Sequence, residues 1–418
     1  MRIIYKLVTK SYFGLLRAGS LVNNKAKLWT NGRKGFVEKV NTIHVTEPLI
    51  WFHCASLGEF EQGKPVMEAF MARHPNWLLL VTFFSPSGFE IRKDYELADY
   101  VFYLPNESKS NIEVFLKTFN PKIAVFVKYD FWYDYMRALF KRNVPLIFIS
   151  STFRKNQLFF KPYAGWFLNQ IKRVEMFFVQ DEESKLLLEK FGVKKVEISG
   201  DTRFDRVTDT VNRDEEIPGM SEFKSANKLL VFGSAWGKET EFAIEISKRM
   251  PNGWKMLFAP HEIKATKIDE FIKSAAGSKV LFSELEKNNG GDKDILVLNT
   301  VGHLARLYKY ADVAVVGGGF TDGIHNILEP LVFGVPVFFG PNHLKFSEGQ
   351  LAINNGVGEE LSDFNTFQNS FLNLASNSKL LDTKREKAKL FVQNRRGATE
   401  KIAKFLNKIG QIISCQIY

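Results

Sequence analysis

Short runs of large apolar residues alternate with helical patterns along this chain, in two successive series. The runs are rich in Ile, Val and Phe and nearly continuous in hydrophobicity, which is typical of strands buried on both faces of a parallel sheet. The strands predicted in the first series are Leu49–His53, Leu78–Phe83, Ile123–Val127, Leu146–Ile149, Met176–Val179 and Val196–Ile198. Those predicted in the second are Leu229–Phe232, Met256–Phe258, Val280–Phe282, Ile295–Leu298, Val313–Val316 and Val335–Phe338. Both series therefore predict βαβ units and parallel sheets.

Helical patterns lie between these runs, and one long stretch interrupts the alternation. The clearest predicted helices are Pro65–Ala72, Ile112–Phe119, Glu182–Phe191 and the tail from Leu380 to Ile413. Thr208–Ser225 has few large apolar residues and a Pro218-Gly219 turn, so it is predicted to be a linker. The expected organisation is an N-terminal segment 1–40, an α/β domain 41–205, a linker 206–227, a second α/β domain 228–395 and a C-terminal helix 396–418. Two such domains imply a cleft between them, where ligands usually bind.

Composition limits the class of protein. At 418 residues, 45% hydrophobic and 25% charged, the chain is a globular protein with material for two cores. Its two cysteines, Cys54 and Cys415, form no disulfide framework and fit a reducing compartment. The net charge of +11 points to nucleic acid, a membrane surface or an anionic substrate, unless the excess lysine only confers solubility. Nucleic acid ranks last, because no zinc-finger spacing, RNA motif or long basic run is present.

The N-terminal segment has the pattern of an amphipathic helix. Its apolar positions on one side of a helical wheel are Ile4, Leu7, Val8, Leu15 and Val22, and its basic positions on another are Lys6, Lys10 and Arg17. The charges interrupt the apolar run well short of the ~20 residues that a membrane span needs. A helix lying in the membrane interface is favoured over a helix packed on the protein's own core, although periodicity alone makes the second more common. The residues that favour the membrane are Tyr5, Tyr12 and Trp29, with Lys25, Lys27, Arg33 and Lys34 nearby.

A glycine-rich turn follows a predicted strand of the second domain. Gly317-Gly318-Gly319-Phe320 comes directly after Asp312–Val316 and precedes a predicted helix from Asn326 to Phe333. Glycines at such a point let a charged ligand approach the backbone, and a helix N-terminus attracts an anion. Glu329 lies one turn into the helix, where its carboxylate can accept hydrogen bonds from ribose hydroxyls. The alternative is a tight turn in which glycine is needed only for close packing. The presence of His325-Asn326 and Glu329-Pro330 at this spacing favours a nucleotide-binding site.

Other polar segments follow the remaining strands. In the second domain these are Gly233–Glu239 with Ser234, Pro260-His261, and Asn299–His303. In the first domain, His53–Glu59 ends the first strand, and Thr82–Gly88, with Ser85 and Gly88, ends the second. Glu59 is a candidate general base, or alternatively a helix-capping glutamate. No Cys, His and Asp cluster has metal spacing, and no Ser-His-Asp arrangement is indicated.

These motifs resemble those of a known family, the Kdo transferases of Gram-negative lipopolysaccharide synthesis. The basic Gly-Arg segment that follows the family's N-terminal helix resembles Asn31–Gly35. The signature His-x-x-Ser-x-Gly-Glu is matched by His53, Ser56, Gly58 and Glu59. The signature Gly-Asn-x-Lys-Phe-Asp resembles Gly200–Asp205, and the donor-side signature resembles Gly318–Pro330, followed by Phe333–Pro341. The resemblance spans essentially the whole chain.

The resemblance implies a GT-B fold, with two Rossmann-like domains facing a central cleft, and an inverting transfer of Kdo from CMP-Kdo. The implied acceptor is the tetraacyldisaccharide bisphosphate precursor of lipid A, at the cytoplasmic side of the inner membrane. Glu59 takes the role of general base, and neither a metal nor another cofactor is implied. The residues implied for the CMP-sugar donor are Pro260, His261, Val301, Gly302, His303, Gly318, Gly319, Asn326, Ile327, Leu328, Glu329 and Ser234. Those expected for the acceptor are Ser56, Ser85, Gly88, Asp130 and Arg154.

The chain departs from the family pattern at three places, and two rival functions remain open. Many members have Glu-x-Glu where this chain has Lys128-Tyr129-Asp130, and many have Pro-Arg-His where it has Ala259-Pro260-His261. Ile324 replaces the glycine that precedes the histidine in the family's donor-side signature. The rivals are a nucleotide-sugar epimerase of the same fold, which needs no amphipathic N-terminus, and a non-catalytic lipid-surface protein.

Overall fold

The computed structural model of the protein describes residues 1–212, 216–287 and 290–417 and divides into two compact units. Unit 1 is Met1–Asp205 together with Arg396–Tyr418, and unit 2 is Arg206–Arg395. The C-terminal segment, expected to be a separate helix, therefore belongs to unit 1. Within the segments predicted as linker and C-terminal helix, residues 213–215 and 418 lie outside the described residues.

Unit 1 is built around one parallel sheet. Its strands are β1 (Leu49–Cys54), β2 (Leu78–Phe83), β3 (Tyr100–Tyr103), β4 (Ile123–Val127), β5 (Leu146–Ser151), β6 (Met176–Val179) and β7 (Val196–Ile198). They lie in the order β3-β2-β1-β4-β5-β6-β7. Successive residues of one strand enter different cores, as Trp51 and Phe52 do, because helices cover both faces of the sheet.

Three helices of unit 1 precede its first strand, and the others alternate with the strands. The helices are α1 (Arg2–Gly19), α2 (Asn24–Gly32), α3 (Phe36–Val40), α4 (Leu57–Met71), α5 (Pro86–Arg92), α6 (Lys109–Phe119), α7 (Tyr133–Lys141), α8 (Gly165–Ile171) and α9 (Glu182–Lys190). The chain then forms α10 (Arg203–Asn212), which contains the boundary between the units, and its last helix returns to unit 1. Helix α4 begins eight residues before the predicted start, and Pro65 lies inside it rather than at its first turn.

Unit 2 repeats the parallel α/β arrangement. Its strands are β8 (Lys228–Ala235), β9 (Trp254–Pro260), β10 (Lys279–Leu281), β11 (Ile295–Val297), β12 (Val313–Val316), β13 (Val337–Phe339) and β14 (Gly358–Glu360), in the order β10-β11-β9-β8-β12-β13-β14. Its helices are α11 (Met220–Lys224), α12 (Gly237–Ser247), α13 (Ala265–Ser274), α14 (Leu304–Leu307), α15 (Leu328–Val332), α16 (Ser347–Asn354), α17 (Phe364–Ser376) and α18 (Ser378–Gln393). The last helix of the chain, α19 (Ala398–Ile417), packs on α4 of unit 1.

The predicted strands correspond to twelve of these strands, and the structure adds β3 and β14. Both additional strands lie at a sheet edge, where a strand pairs on one side only. The stretch predicted as a linker contains part of α10 and all of α11, and the predicted helical tail is broken between α18 and α19. The fold class is confirmed, because both units are Rossmann-like α/β domains with parallel sheets.

Helix α1 packs on unit 1 through aromatic side chains. Tyr5 lies 5.3 Å from Tyr133 between ring centroids and donates its hydroxyl to Glu107, and Phe13 stacks on Trp29 at 5.7 Å. Trp29 is only 3% exposed, so it is part of the packing. Tyr5 and Trp29 therefore do not support the membrane interpretation, since their rings pack α1 against α7 and α2.

Arg33 also belongs to this packing and not to an exposed basic patch. Its guanidinium lies over the rings of Trp29 and Phe84 and donates to the carbonyls of Trp29, Phe84 and Leu104. The aliphatic side chains of the N-terminal helices are, in contrast, exposed: Ile3, Ile4, Leu7, Val8, Leu15, Leu21, Val22 and Leu28. In the part of the chain that the structure describes, no helix is long and apolar enough to cross a membrane.

Candidate functional site

The strand order of each unit creates a crevice where ligands bind in α/β proteins. In unit 1 the order reverses between β1 and β4, and in unit 2 it reverses between β8 and β12. Ligands of open parallel sheets bind outside the carboxyl ends of the strands at such a reversal. The carboxyl ends of β1 and β4 lead to Glu59 and to Lys128–Asp130, and those of β8 and β12 lead to Ser234 and to Gly317–Gly319.

Two residues at these strand ends have left-handed backbone conformations although they are not glycines. Lys128, directly after β4, has φ of 63°, and Ser234, near the end of β8, has φ of 52°. Such conformations cost about 1–3 kcal/mol for a non-glycine residue and concentrate at functional sites. Their occurrence at both reversals is a second indication, independent of the topology, that these strand ends are the sites of the two units.

Glu59 lies in the first turn of α4, directly above the carboxyl end of β1. Its Oε2 accepts a hydrogen bond from the backbone N–H of Ala55, so the carboxylate reaches back over the helix start in the manner of a capping glutamate. The side chain is half-buried. The capping contact expected under the alternative interpretation is thus present, and it fixes the position of the carboxylate.

The surroundings of Glu59 disfavour its ionised form. Burial and, after it, the nearby carboxylate of Asp130 raise the pKa of Glu59 to about 8, against the opposing effects of the Lys128 charge and of the Ala55 and Ser56 amides. Asp130 and Lys128 occupy the segment in which this chain departs from the Kdo transferase pattern. A carboxyl group with a pKa near neutrality can accept a proton and release it again at physiological pH.

Asp130 is held by a buried hydrogen-bonded chain. Its Oδ2 lies 2.7 Å from Nε2 of His53 and accepts from Nε1 of Trp132 at 2.8 Å. Nδ1 of His53 lies 2.9 Å from the hydroxyl of Thr82, which accepts from Nε1 of Trp51 at 2.8 Å. Nε2 of His53 must carry a proton to donate to the Asp130 carboxylate, and the Thr82 hydroxyl can then donate to Nδ1.

Sequence reasoning missed most of this chain of contacts. His53 was singled out only as part of a motif, whereas the structure makes it the side chain that positions Asp130. The available signal was the strand register, because Trp51 and His53 share one side of β1 and His53 pairs with Thr82 on β2. Two of the residues expected at the acceptor interact with Glu59: Asp130 through its charge and Ser56 through its backbone amide.

The other residues expected to bind the acceptor have local structural roles or stand apart. Ser85 caps α5 by accepting from the N–H of Ser87 at 3.2 Å, and a Cβ on Gly88 would lie 2.3 Å from the ring of Phe83. Ser56 precedes α4 without a side-chain cap bond, and Arg154 is exposed in the loop after β5. Contact of these residues with the acceptor remains a prediction. Helix capping is a sufficient explanation for Ser85, and close packing is a sufficient explanation for Gly88.

In unit 2, close packing requires the glycine-rich turn. A Cβ on Gly317 would lie 2.0 Å from the carbonyl oxygen of Ser234, and one on Gly319 would lie 2.4 Å from the amide nitrogen of Gly340. The amides of Gly318 and Phe320 face the buried carboxylate of Glu239 and lower its pKa, although desolvation raises that pKa more. The carboxyl group of Glu239, a side chain of the protein itself, thus already occupies part of this turn. Close backbone packing is therefore a sufficient reason for glycine at positions 317 and 319.

Beside the turn, three rings form a stack. His261 lies 4.7 Å from His325 and 4.4 Å from Trp236 between ring centroids. Burial lowers the pKa of both histidines, and the proximity of His261 lowers the pKa of His325 further, so both imidazoles are neutral at neutral pH. His261 and Trp236 follow neighbouring strands, β9 and β8, which explains how distant sequence segments meet here.

Glu329 lies on α15 beyond this stack. Its Oε1 accepts from Nδ2 of Asn326 at 3.0 Å. Burial raises the pKa of Glu329, while the Asn326 hydrogen bond and the positive charge of Arg206 oppose the shift. Ile327 and Leu328 are fully buried, so their side chains belong to the core. The helix begins at Leu328 and not at Asn326, because Asn326 turns its side chain back to accept from the N–H of Leu328.

The remaining donor residues lie at the ends of β9 and β11. Pro260 is the last residue of β9 and pairs with Ala235 of β8. His303 contacts the ring of Phe282 at 4.9 Å, and Val301 is 84% exposed next to Gly302. No group of three His, Cys, Asp or Glu residues that could hold a metal ion occurs in residues 1–212, 216–287 and 290–417. Metal-independent chemistry stays a prediction.

The fold and the two strand-end sites define a class of protein, a two-domain α/β protein of the GT-B type. Solved structures with this fold include the UDP-GlcNAc 2-epimerase of Neisseria meningitidis bound to UDP-GlcNAc, with a TM-score of 0.58 and 16% identity over 87% of this chain and 99% of that one. The UDP-GlcNAc 2-epimerase of Methanocaldococcus jannaschii has a TM-score of 0.50 and 15% identity, over 88% of this chain and 99% of that one. At such identities the similarity shows the fold alone.

Sequence comparison finds similarity to one family. A family model described as 3-Deoxy-D-manno-octulosonic-acid transferase (kdotransferase) matches residues 30–206. The 3-deoxy-D-manno-octulosonic acid transferase of Chlamydophila psittaci is 29% identical over 306 residues, or 71% of this chain and 70% of that protein. The transferase of the same name from Chlamydia muridarum is 27% identical over 362 residues, or 83% of each. The resemblance is therefore confirmed: this chain is a relative of the Kdo transferases of lipopolysaccharide biosynthesis, which are glycosyltransferases.

Replacing Thr82 tests the buried chain that holds Asp130. We expect Thr82→Val to destabilise unit 1 by at least about 2 kcal/mol, because it leaves two buried donors or acceptors, on Trp51 and His53, without a partner. Thr82→Ser keeps the hydroxyl and should cost about 1 kcal/mol or less, the value of one methyl group. Urea unfolding of both variants measures the difference, and equal stability would contradict the assigned hydrogen bonds.

Proposed function

We propose that the protein is an inverting glycosyltransferase that moves Kdo from CMP-Kdo to the tetraacyldisaccharide bisphosphate precursor of lipid A. The family supports Kdo transfer in lipopolysaccharide synthesis, and the donor and acceptor named here are the finer part of the proposal. The observation that carries it is the carboxylate of Glu59 at the sheet reversal of unit 1, with its pKa raised to about 8. Such a group suits a base that must take one proton per turnover.

In the proposed reaction, a hydroxyl oxygen of the acceptor attacks the anomeric carbon of Kdo. The bond from that carbon to the phosphate oxygen of CMP breaks, the bonding electrons leave with CMP, and the hydroxyl proton passes to Glu59. The backbone amides of Ala55 and Ser56 hold the carboxylate that would take this proton. His53 acts through Asp130 as a positioning residue, since its imidazole holds the carboxylate that raises the pKa of Glu59.

We propose that the donor nucleotide binds at the sheet reversal of unit 2. The carboxylate of Glu329 would accept hydrogen bonds from the ribose, and His261 with His325 would face the phosphate. Because Glu239 already faces the amides of Gly318 and Phe320, we assign the phosphate to the stacked histidines and not to those two amides. This modifies the expectation that the glycine turn itself forms the anion site.

The two rival functions have weaker support. An epimerase has the fold, but the epimerases compared here are 15–16% identical, whereas the Kdo transferases reach 27–29%. A non-catalytic lipid-surface protein would not require a buried hydrogen-bonded chain beneath the carboxylates of Asp130 and Glu59. Incubation with CMP-Kdo and the lipid A precursor, followed by mass measurement of the products, tests donor, acceptor and the number of sugars together. Absence of any Kdo-bearing lipid would reject the proposal.

The role of Glu59 as base predicts a large kinetic effect of Glu59→Gln. Gln keeps the shape and an oxygen that can accept from Ala55, but it cannot take the proton, so transfer should fall by at least about two orders of magnitude. CMP affinity should not change. Glu68→Gln, on the same helix, is the control because Glu68 faces solvent and pairs with Lys64. Transfer by Glu59→Gln at a rate near that of the wild type would reject the base.

The charges around Glu59 predict how its pH dependence moves. The base works when deprotonated, so kcat/KM should rise with pH and level off above about 8. Asp130→Asn removes a negative neighbour and should move this rise to lower pH, whereas Lys128→Gln removes a positive one and should move it to higher pH. Measured pH profiles of the three proteins check the order, and the opposite order would contradict the assignment.

The same pKa predicts a pH-dependent stability difference. The carboxyl of Glu59 keeps its proton up to about pH 8 in the folded protein, against an ordinary value of 4.5, so the folded state binds more protons between these values. Its contribution to stability is present below pH 4.5 and is lost as the pH rises to 8. Glu107 has a similarly raised pKa, so the comparison of wild type with Glu59→Gln, and not the wild type alone, isolates Glu59.

The donor assignment predicts weaker CMP binding in Glu329→Gln. Loss of the carboxylate removes charged hydrogen-bond acceptors and should cost about 1–3 kcal/mol, or roughly 5-fold to 150-fold in affinity. Glu245→Gln, an exposed position on α12, is the matched control in the same unit. Calorimetric titration with CMP measures both, and an unchanged affinity of the Glu329 variant would reject the ribose contact.

We also propose that the protein lies on the cytoplasmic face of the inner membrane through its N-terminal helices. The proposal is supported by the row of exposed aliphatic side chains on α1 and on the turn after it, together with the basic Lys6, Lys10 and Arg17. Apolar side chains enter the interface while basic ones remain at the anionic headgroups. This surface would bring the enzyme to an acylated acceptor.

The membrane proposal predicts that exposed apolar residues of α1 are needed for vesicle binding. Ile3→Ser with Leu7→Ser should weaken binding to anionic vesicles at least about tenfold, because each side chain contributes about 1.5 kcal/mol or more when buried. Ile91→Ser with Leu186→Ser, exposed on α5 and α9, is the matched control and should bind as the wild type does. Flotation with vesicles compares them, and equal binding by both double variants would contradict the proposal.

A further inference from the structure

A cavity of about 460 Å³ lies in unit 1, between the N-terminal helices and the loop that follows β3. Its walls come from the end of α1, from α2 and α3, and from the segment around Asn106. It contains none of the residues assigned to Glu59, to its buried chain or to the donor nucleotide. The proposed reaction therefore leaves this cavity unexplained.

The cavity has an excess of positive charge. Arg17, Arg33 and Lys34 line it, and Glu38 is the acidic residue in its wall, which leaves a net charge of +2. The three cations come from different elements, α1, the end of α2 and the turn before α3. A concave wall with this charge attracts anions, because the low-dielectric protein around it focuses the field.

Arg33 is the least exposed of these cations and has no acidic partner among the described residues. Its guanidinium donates to three backbone carbonyls and lies 4.1 Å above the ring of Trp29. No carboxylate of the described residues forms an ion pair with it, and burial lowers the pKa of Arg33 to about 9. Buried charges are normally paired, since desolvation of an unpaired ion is costly. The cavity offers the place where a counter-ion would sit.

Three further polar groups of the wall lack hydrogen-bond partners among the described residues. Nε1 of Trp29 and Oγ1 of Thr30 are buried and make no hydrogen bond within the part of the chain that the structure describes. Trp29 is 3% exposed, so water does not compensate its indole N–H. Oδ1 of Asn106, an acceptor, is also without a partner and could receive the proton of a singly protonated phosphate. The orphan groups and the cations together match an oxyanion with several acceptor oxygens.

We propose that this cavity binds the phosphoryl group of an anionic lipid. A phosphoryl group has the charge and the several oxygens that arginine, lysine, hydroxyl and indole donors can share. The lipid origin follows from the position of Arg17 on α1, near Leu15 and next to the turn with Leu21 and Val22, which are 88% and 91% exposed. These side chains would lie among acyl chains while the headgroup enters the cavity. None of the residues assigned to Kdo transfer lines this cavity.

Charge-removing variants with a matched control test this site in the full chain. Arg17→Gln with Lys34→Gln removes two cations of the wall, and Lys25→Gln with Lys27→Gln removes two exposed cations of α2 that do not line the cavity. Both pairs weaken general attraction to an anionic surface by the same charge, so the difference between them reports the cavity. Trp29→Phe keeps an aromatic ring but removes the orphan N–H together with part of the buried indole.

Three ligands distinguish the sources of the phosphoryl group. The first is phosphatidylcholine vesicles with phosphatidic acid, the second is vesicles of equal surface potential with cholesteryl hemisuccinate, which carries a carboxylate, and the third is inorganic phosphate alone. We expect the wild type to prefer phosphatidic acid over the carboxylate lipid by at least about fivefold, as charge-assisted hydrogen bonds to a phosphoryl group would give. The Arg17/Lys34 pair should lose that preference and the Lys25/Lys27 pair should keep it. Trp29→Phe should weaken it because the indole donor is removed, and its melting temperature shows how much packing the smaller ring loses.

The outcomes separate the lipid from other occupants. Saturable binding of inorganic phosphate, abolished in the Arg17/Lys34 pair, without any preference among vesicles would overturn the lipid origin and assign a free phosphate. The site would be overturned if both double variants preferred phosphatidic acid over the carboxylate lipid equally. It would also be overturned if the wild type showed no such preference and did not bind inorganic phosphate. Vesicle binding is measured without CMP-Kdo, so a negative binding result does not contradict the proposed Kdo transfer. A negative result for Kdo transfer likewise does not contradict lipid binding in this cavity.

Discussion

The parallel pairing of β1 with β4 is the constraint on which the candidate site of unit 1 depends. Only at this reversal do two neighbouring strands send their following segments to opposite sides, which leaves their carboxyl ends uncovered. The pairing brings Glu59, after β1, near Lys128 and Asp130, after β4, although they are far apart in sequence. The buried contacts from Trp51 through Thr82 to His53 then fix Asp130, so a side-chain position in the crevice depends on the sheet register below it.

Glu59 illustrates how a capping interaction and a chemical role can belong to one side chain. The contact with the Ala55 amide holds the carboxylate at the start of α4 and lowers its pKa, whereas burial and Asp130 raise that pKa by more. A glutamate that only capped the helix would gain from remaining ionised, because the helix N-terminus favours negative charge. The neighbouring Asp130 works against this gain, so the arrangement costs stability at neutral pH. Costs of this kind are typical of functional positions.

The sequence predicts the interior of the fold better than its edges and its polar contacts. Central strands such as Val313–Val316 are continuous apolar runs, and burial on both faces leaves no other assignment for them. The edge strand β14, Gly358–Glu360, contains two acidic residues and forms because β13 offers it unpaired backbone groups, which no local pattern reveals.

The polar contacts that decide the sites are mostly non-local, and this limits what spacing can predict. The pairing of His53 with Asp130 joins residues 77 positions apart, and the contact of Glu239 with the Gly318 amide joins α12 to a turn after β12. Motif spacing correctly indicates which strand ends carry polar residues, but not which of their groups are already satisfied by the protein. The glycine turn shows this limit, because its composition suits an anion and part of its backbone faces Glu239 instead.

The N-terminal helix combines the two interpretations that periodicity left open. Its aromatic residues Tyr5 and Phe13 are eight positions apart, so they lie on one side of the helix and pack on unit 1. The aliphatic residues Ile3 and Leu7 lie on another side and are exposed. A helix that served only as part of the core would bury its aliphatic side chains, since each would contribute about 1.5–3 kcal/mol. Packing through aromatic rings leaves this aliphatic surface available, so the helix can be fixed to the protein and still present an apolar face to a lipid surface.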